Sequence, residues 1–194
     1  MHYAPQAEAC PLPYSPFKSC TVPRSLGWLS TVSKDGIPNL APYSQWQNLT
    51  FDPPMVMFAA NQLSLGARKH TVVNAEDTGW FVWNMATYDL REAVNISAME
   101  LPTGENEFMR AGVTAQPCID APGPRVAESP AHFECRYLST HRLRGNSNQG
   151  WVEVVYGEVM HIHVRDEVIT PEGKLDIPKI HPLSHGWGIM ITPL

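Results

Sequence analysis

Two stretches of the 194-residue chain carry side chains whose types and spacing could do chemistry. The first is Arg68-Lys69-His70-Thr71, at the start of a predicted short helix over residues 67–76 whose apolar positions are Val72, Val73 and Ala75. The first N–H groups of a helix lack intrahelical acceptors and its dipole is positive there, so an anion is favoured. Arg68 offers a bidentate fork, Lys69 a point charge and Thr71 a hydroxyl, a set that suits a phosphate. A solvated basic turn would use the same residues. The second stretch is Ala41-Pro42-Tyr43-Ser44-Gln45-Trp46-Gln47-Asn48, which follows a strand-like run and precedes the rigid turn Asp52-Pro53-Pro54. Amide, hydroxyl and indole groups lining a crevice there would meet the edge and face of a flat polar heterocycle. A polar loop with Trp46 anchored in the core is the plainer reading.

Other candidates carry less. His161 and His163 alternate on a strand and could ligate a metal with His132 or His141, but no carboxylate stands at a fixed spacing to them, and no metal site is assigned. Cys135 beside Glu134 reads as a small buried apolar residue rather than a nucleophile. No Gly-x-Gly-x-x-Gly, Walker or Gly-x-Ser-x-Gly sequence is present, so no Rossmann turn or P-loop holds a ligand.

The elements that must position the two stretches follow from periodicity and turn signals. Residues 26–32 read as a strand with both faces partly apolar, Asp35-Gly36 as a hairpin turn, and residues 37–40 as the start of the return strand. Residues 55–60 read as a short buried strand and 80–85 as a core strand, with Asp77-Thr78-Gly79 ending the helix between them. Residues 87–94 read as a helix with Thr87 as N-cap, 105–110 as a helical turn or two, and 117–130 as a Pro-rich crossing. Two long strands, 131–143 and 149–164, enclose an Arg-Gly-Asn-Ser-Asn loop, and a one-turn helix is expected near 176–180. Strands, short helices, then strands again argue for an antiparallel barrel with helical additions.

Hydrophobic content of 43% and charged content of 17% describe one globular domain with a sizeable core. A net charge of −5 argues against nucleic acid or an anionic membrane as partner, so a bound anion needs a local basic cluster. The first residues lack the basic and apolar regions of a signal peptide, and no run reaches the roughly 18 apolar residues of a membrane span. A cytoplasmic protein is expected, with Cys10, Cys20, Cys118 and Cys135 as thiols. Residues 1–24, with five prolines, are expected to form a helix-free extended arm. Residues 25–170 form the domain proper and 171–194 its tail.

The order of segments resembles the flavin reductase-like proteins with an FMN-binding split β-barrel. The matching pieces are Gly27-Trp28-Leu29-Ser30-Thr31-Val32 with Asp35-Gly36, then Asn39-Leu40-Ala41-Pro42-Tyr43-Ser44, Asp52-Pro53-Pro54-Met55-Val56, Arg68-Lys69-His70-Thr71 with Asn74, and Gly79-Trp80-Phe81-Val82-Trp83-Asn84. Arg125-Val126-Ala127-Glu128-Ser129-Pro130 with Glu134-Cys135, and then Gly157-Glu158-Val159, continue the match, which spans roughly residues 24–170. The resemblance implies a mainly β fold, a split β-barrel of the FMN-binding type with Greek-key-like antiparallel strands. It implies that Tyr43, Ser44, Gln45, Trp46 and Gln47 meet the isoalloxazine, that Ala59, Ala60 and Asn61 run beside the ribityl chain, and that Arg68, Lys69 and Thr71 hold the phosphate. FMN is the flavin implied, ahead of FAD, with NADH or NADPH as transient hydride donor. No protein acid, base or nucleophile is required, because the chemistry sits at flavin N5. A homodimer is implied, and a flavin-dependent monooxygenase is a candidate partner. After Ser184-His185-Gly186-Trp187-Gly188 this chain lacks the family's usual tyrosine. An FMN-binding electron carrier or dimeric scaffold is the alternative function.

Overall fold

The computed structural model describes residues 1–14, 16–62, 67–99, 105–145 and 150–186. The arm contains one helical turn, α1 (Pro16–Ser19), where none was expected. Pro16 takes the first helical position, where a missing N–H costs nothing. β1 (Gly27–Val32) turns at Asp35-Gly36 into β2 (Pro38–Tyr43). Gly36 takes φ +81°, and the Gly36 N–H donates to the Ser33 carbonyl at 3.0 Å.

The polar stretch that follows hides a strand. β3 (Trp46–Phe51) pairs antiparallel with β4 (Pro54–Asn61), so only Ser44 and Gln45 remain as a turn. Helix α2 (His70–Thr78) begins three residues later than its composition suggests, because Lys69 is extended (φ −66°, ψ 135°). β5 (Trp80–Asn84) follows. Thr87 precedes a 3₁₀ turn over Tyr88–Leu90, not an α-helix, and its side chain makes no capping bond; α3 (Arg91–Ile96) comes after it. α4 (Glu107–Ala111) is capped by Asn106, whose side chain accepts from the Phe108 and Met109 N–H groups. β6 (Ala115–Gln116), just before the Pro-rich crossing, pairs with β7 (Arg125–Val126) within it. The long hairpin β8 (Ala131–Arg144) and β9 (Trp151–Val164) is as expected, and α5 (Ile177–Ile180) forms the tail turn.

Seven strands form one sheet in the order β2-β1-β5-β8-β9-β4-β3, with every neighbouring pair antiparallel. β2 and β3 are its opposite edges, yet only Ser44 and Gln45 join them. Three virtual bonds from Tyr43 to Trp46 span at most about 11 Å. The sheet must therefore curl until its edges meet, and the antiparallel barrel has its seam at Ser44-Gln45. The mainly β, split-barrel reading holds.

Alternation sorts the apolar residues into two cores. Leu29, Phe58, Phe81, Val56, Val155 and Cys135 fill the barrel. Trp28, Leu40, Val94, Phe108, Val126 and Leu183 pack outside it, beneath α3 and α4. β1 is buried on both faces because its odd and even residues serve different cores. A fully buried Phe such as Phe58 or Phe81 contributes about 1.5–3 kcal/mol. Asn84 ties the layers: its amide donates to the Trp28 carbonyl (3.1 Å) and Ser30 Oγ (3.0 Å), and its carbonyl accepts the Val126 N–H (2.7 Å).

Candidate functional site

The seam turn is held on both sides. The Gln45 carbonyl accepts the Ala59 N–H at 2.8 Å, which staples the turn to β4, and Ser25 Oγ donates to the Trp46 carbonyl. Trp46 lies against Gly27, where a Cβ would sit 2.9 Å from the indole. Its ring stacks on Trp83 (5.9 Å, 9°), and Trp83 stacks on Phe133 (4.5 Å, 29°). Only glycine at position 27 permits this ladder. Outside the turn, Ser44, Gln45, Trp46 and Gln47 line an open crevice of about 510 Å³, bordered on the other side by residues 20–25 and Met57. That volume falls within the range of small-molecule sites.

A second, smaller crevice of about 110 Å³ lies where the start of α2 meets β2. Lys69, His70 and Thr71 line it with Asn39, Tyr43, residues 97–99 and Glu107. α2 has no side-chain cap at Lys69; the Val72 and Val73 N–H groups donate to the Lys69 carbonyl (3.0 and 3.2 Å), so an anion would meet those of His70 and Thr71. The helix start is pinned by buried polar contacts. Asn39 Nδ2 donates to Thr71 Oγ1 (2.9 Å), and Asn74 Nδ2 donates to Thr31 Oγ1 (3.1 Å).

The structure thus brings Lys69, Thr71 and Tyr43 to one crevice and Ser44, Gln45, Trp46 and Gln47 to the next, with adjacent residues of one chain turn on either side. Several side chains play other parts than their types suggest. Arg68 Nε donates to Glu153 Oε1 (2.8 Å), and its Nη2 donates to Glu76 Oε1 (2.7 Å). Arg142 Nη2 donates to the same Glu153 oxygen at 2.6 Å. The guanidinium of Arg68 therefore ties α2 to β9 and does not line the crevice. Hydrogen bonding to Arg68 holds the Glu76 carboxyl below its usual range. The Thr71 hydroxyl is buried against Asn39, leaving its backbone N–H to face an anion. Tyr43 packs on Phe58 (5.0 Å) in the barrel core, where burial drives its phenol pKa upward. Trp46 is likewise core and wall at once. Ala60 is buried, whereas Ala59 is half-buried and Asn61 exposed at the end of β4, opposite Val154 and Val152 of β9.

The other candidates resolve into structural contacts. His161 Nε2 bonds Asp120 Oδ2 (2.7 Å) and His163 Nε2 bonds Glu134 Oε1 (2.6 Å). His132 Nε2 donates to the Val126 carbonyl (2.7 Å), and burial lowers its pKa to about 4. Burial pushes the Glu134 carboxyl up, but the N–H groups of Ile119, Ala121 and Asp120, with His163, outweigh it and hold it at about 2. Among the described residues no group of three or more His, Cys, Asp or Glu side chains could hold a metal ion. Burial raises the Cys135 thiol pKa and pushes that of Cys118 up to about 12, so neither is a ready thiolate.

Residues 19–181 match the family model described as "Flavin reductase like domain". The chain belongs to this flavin reductase-like family. An uncharacterized protein of Aquifex aeolicus (strain VF5) is 33% identical over 166 residues, covering 84% of this chain and 80% of that one. The crystal structure of nitrilotriacetate monooxygenase component B from Bacillus cereus superposes with a TM-score of 0.91 at 25% identity, over 100% of this chain and 95% of that one. The 2-nitrobenzoate 2-nitroreductase NbaA of Pseudomonas fluorescens shares the fold, with a TM-score of 0.81 at 21% identity over 99% and 92% of the two chains. Among the described residues no helix is long and apolar enough to cross a membrane.

Within this flavin reductase-like frame, sequence reasoning missed three contributors to the crevices. Residues 20–25, at the end of the arm and the start of the domain, border the larger one, and Asn39 and Glu107 enter the smaller one. Residues 105–110 read in sequence only as a helical turn or two, so nothing there marks Glu107 as buried. The tail residues 187–194, including the position of the absent tyrosine, lie outside the described residues.

Proposed function

We propose that the chain is an NAD(P)H-dependent flavin reductase that holds FMN along the barrel seam. The observation that carries this reading is the uncapped start of α2, in a crevice with Lys69 and His70, beside a turn of hydrogen-bonding side chains at the seam. The donor set fits the group. Amide and hydroxyl groups of Ser44, Gln45 and Gln47 suit the polar edge of an isoalloxazine, and Lys69 with the N–H groups of α2 suits a phosphate. Ala59, Ala60 and Asn61, at the end of β4, would flank the ribityl chain. Arg68 would support the phosphate site from behind, by fixing the segment before α2 to Glu76 and Glu153.

When bound, FMN supplies the redox chemistry, accepting hydride equivalents from NADH or NADPH at N5. The chain's own part is to bind and orient. The Trp46–Trp83–Phe133 ladder backs the seam turn, and residues 20–25 border its outer side. The likeness to a monooxygenase component supports a flavin-dependent monooxygenase as the consumer of the reduced flavin.

The test is ligand titration of the purified protein. Lys69→Ala should weaken FMN by about tenfold or more while leaving riboflavin nearly unchanged, since only FMN carries the phosphate. Equal losses for both would remove the phosphate from α2. Anaerobic mixing of the FMN-loaded protein with NADH and NADPH should bleach the flavin band within seconds; a band that persists with both donors would point to a carrier in place of a reductase.

A further inference from the structure

The phosphate crevice contains a residue of the wrong sign. Glu107 opens α4, is 8% exposed, and lines the crevice together with Lys69 and His70. Its Oε2 is buried and has no hydrogen-bond partner, an uncommon state for a carboxyl oxygen. A buried carboxylate with one oxygen unpartnered is costly, whereas the neutral acid carries a proton that can be given to an acceptor.

We propose that Glu107 determines specificity for the phosphorylated flavin: as a neutral carboxyl it donates a hydrogen bond to the oxyanion at the start of α2, and as a carboxylate it repels it. This rests on the phosphate placement above. The surroundings favour the neutral form. Burial raises the Glu107 pKa; N–H bonds from Glu107 itself and Leu40, and the nearby His70, oppose this, while Glu105 adds to it. The titratable and charged groups facing it are Lys69 and His70 from α2, Tyr43 from β2, Glu105 from the approach to α4, and Asp35 from the β1–β2 turn, which lines an adjoining crevice with Glu107 and His70. Asn39 is the neutral polar neighbour. Burial and the Glu105 carboxylate oppose ionisation of Glu107, so binding of an anion at α2 is coupled to retention of a proton.

The experiment measures FMN and riboflavin affinities from pH 5.5 to 9 for the full-length protein, Glu107→Gln and Lys69→Ala. In the wild type, FMN should weaken by about tenfold more than riboflavin as pH rises. In Glu107→Gln, whose amide cannot ionise but still donates, FMN should bind at pH 9 within about threefold of its pH 5.5 value. An unchanged pH slope in Glu107→Gln overturns the proposal, because His70 or the phosphate itself would then be its source. The phosphate reading fails separately, if Lys69→Ala weakens FMN and riboflavin alike. Should Glu107→Gln not fold, calorimetry of FMN binding to His70→Gln at pH 9, where the carboxyl of the free protein is ionised, in two buffers of different ionisation enthalpy decides the matter. Net proton uptake, absent with riboflavin, supports the role of Glu107, and no uptake overturns it.

Discussion

Removing Arg68 separates its structural work from ligand binding. In Arg68→Ala, Glu153 loses one of two guanidinium partners while its side chain stays only 2% exposed, and Glu76 loses its ion pair. Stripping a buried charge of its sole partner costs about 3–5 kcal/mol. Here Arg142 remains on Glu153 Oε1 at 2.6 Å, and the Arg68 side chain is itself 31% exposed, so solvent screens part of the loss. A cost of about 1–2 kcal/mol follows. For a chain of this length that lowers Tm by about 2–8 °C. Thermal melts of wild type, Arg68→Ala, Glu153→Gln and the double variant form a cycle, in which the double should lose about 1 kcal/mol less than the sum. FMN and riboflavin titrations run alongside should show Arg68→Ala discriminating between them far less than Lys69→Ala does. Additive losses in the cycle, or an FMN defect in Arg68→Ala equal to that of Lys69→Ala, would refute the assignment of Arg68 to the carboxylates.

Other perturbations test the remaining framework. Gly27→Ala places a Cβ 2.9 Å from the Trp46 ring and should cost about 1–3 kcal/mol, with altered near-ultraviolet circular dichroism from the Trp46–Trp83 stack; an unchanged spectrum and melt would contradict that packing. Acid should destabilise the fold in two stages. His132, held neutral with a pKa near 4, contributes stability that is complete above its ordinary value of about 6.5 and lost as pH falls toward 4. Glu134, held at about 2, contributes stability present above about 4.5 and lost as pH falls toward 2. Urea unfolding at pH 7 and pH 4.5 should differ by about 2–3 kcal/mol, and His132→Gln should flatten that difference; an equal fall in the variant would assign it elsewhere. Tyr14, Phe17 and Phe51 are 71%, 79% and 89% exposed, as expected if a second copy covers them, so sedimentation should give about 43 kDa, twice the chain mass. A mass of one chain would overturn the expectation of a homodimer.

Much of the barrel is legible in the sequence because its walls obey simple patterns. Asp35-Gly36 marks the first hairpin, and the β-branched run of Trp151–Val164 marks the last. β3 escapes notice because five of its six residues are not fully buried, so no alternation betrays it. The crevices are legible in position but not in detail. Arg68 looks like a phosphate ligand until Glu153, 85 residues away, is brought across β4 to meet it. The Thr71 hydroxyl is claimed by Asn39, 32 residues earlier, and Glu107 is buried by tertiary packing that its capped helix start does not announce. Local patterns encode where strands and helix starts fall, whereas the partner of a charged side chain is a long-range property.

The two-residue link between the sheet's opposite edges bears on how such a barrel can diversify. Within a strand, one inserted residue turns every following side chain to the other face and costs the core. Between Tyr43 and Trp46 an insertion shifts no ladder register, and doubling so short a link costs only about 0.6 kcal/mol of closure entropy. Length and composition at residue 44 can therefore drift while the walls stay fixed, provided the bond from the Ala59 N–H to the carbonyl at position 45 is kept. A laboratory seeking new acceptor preferences in this scaffold would begin by lengthening and randomising that one turn.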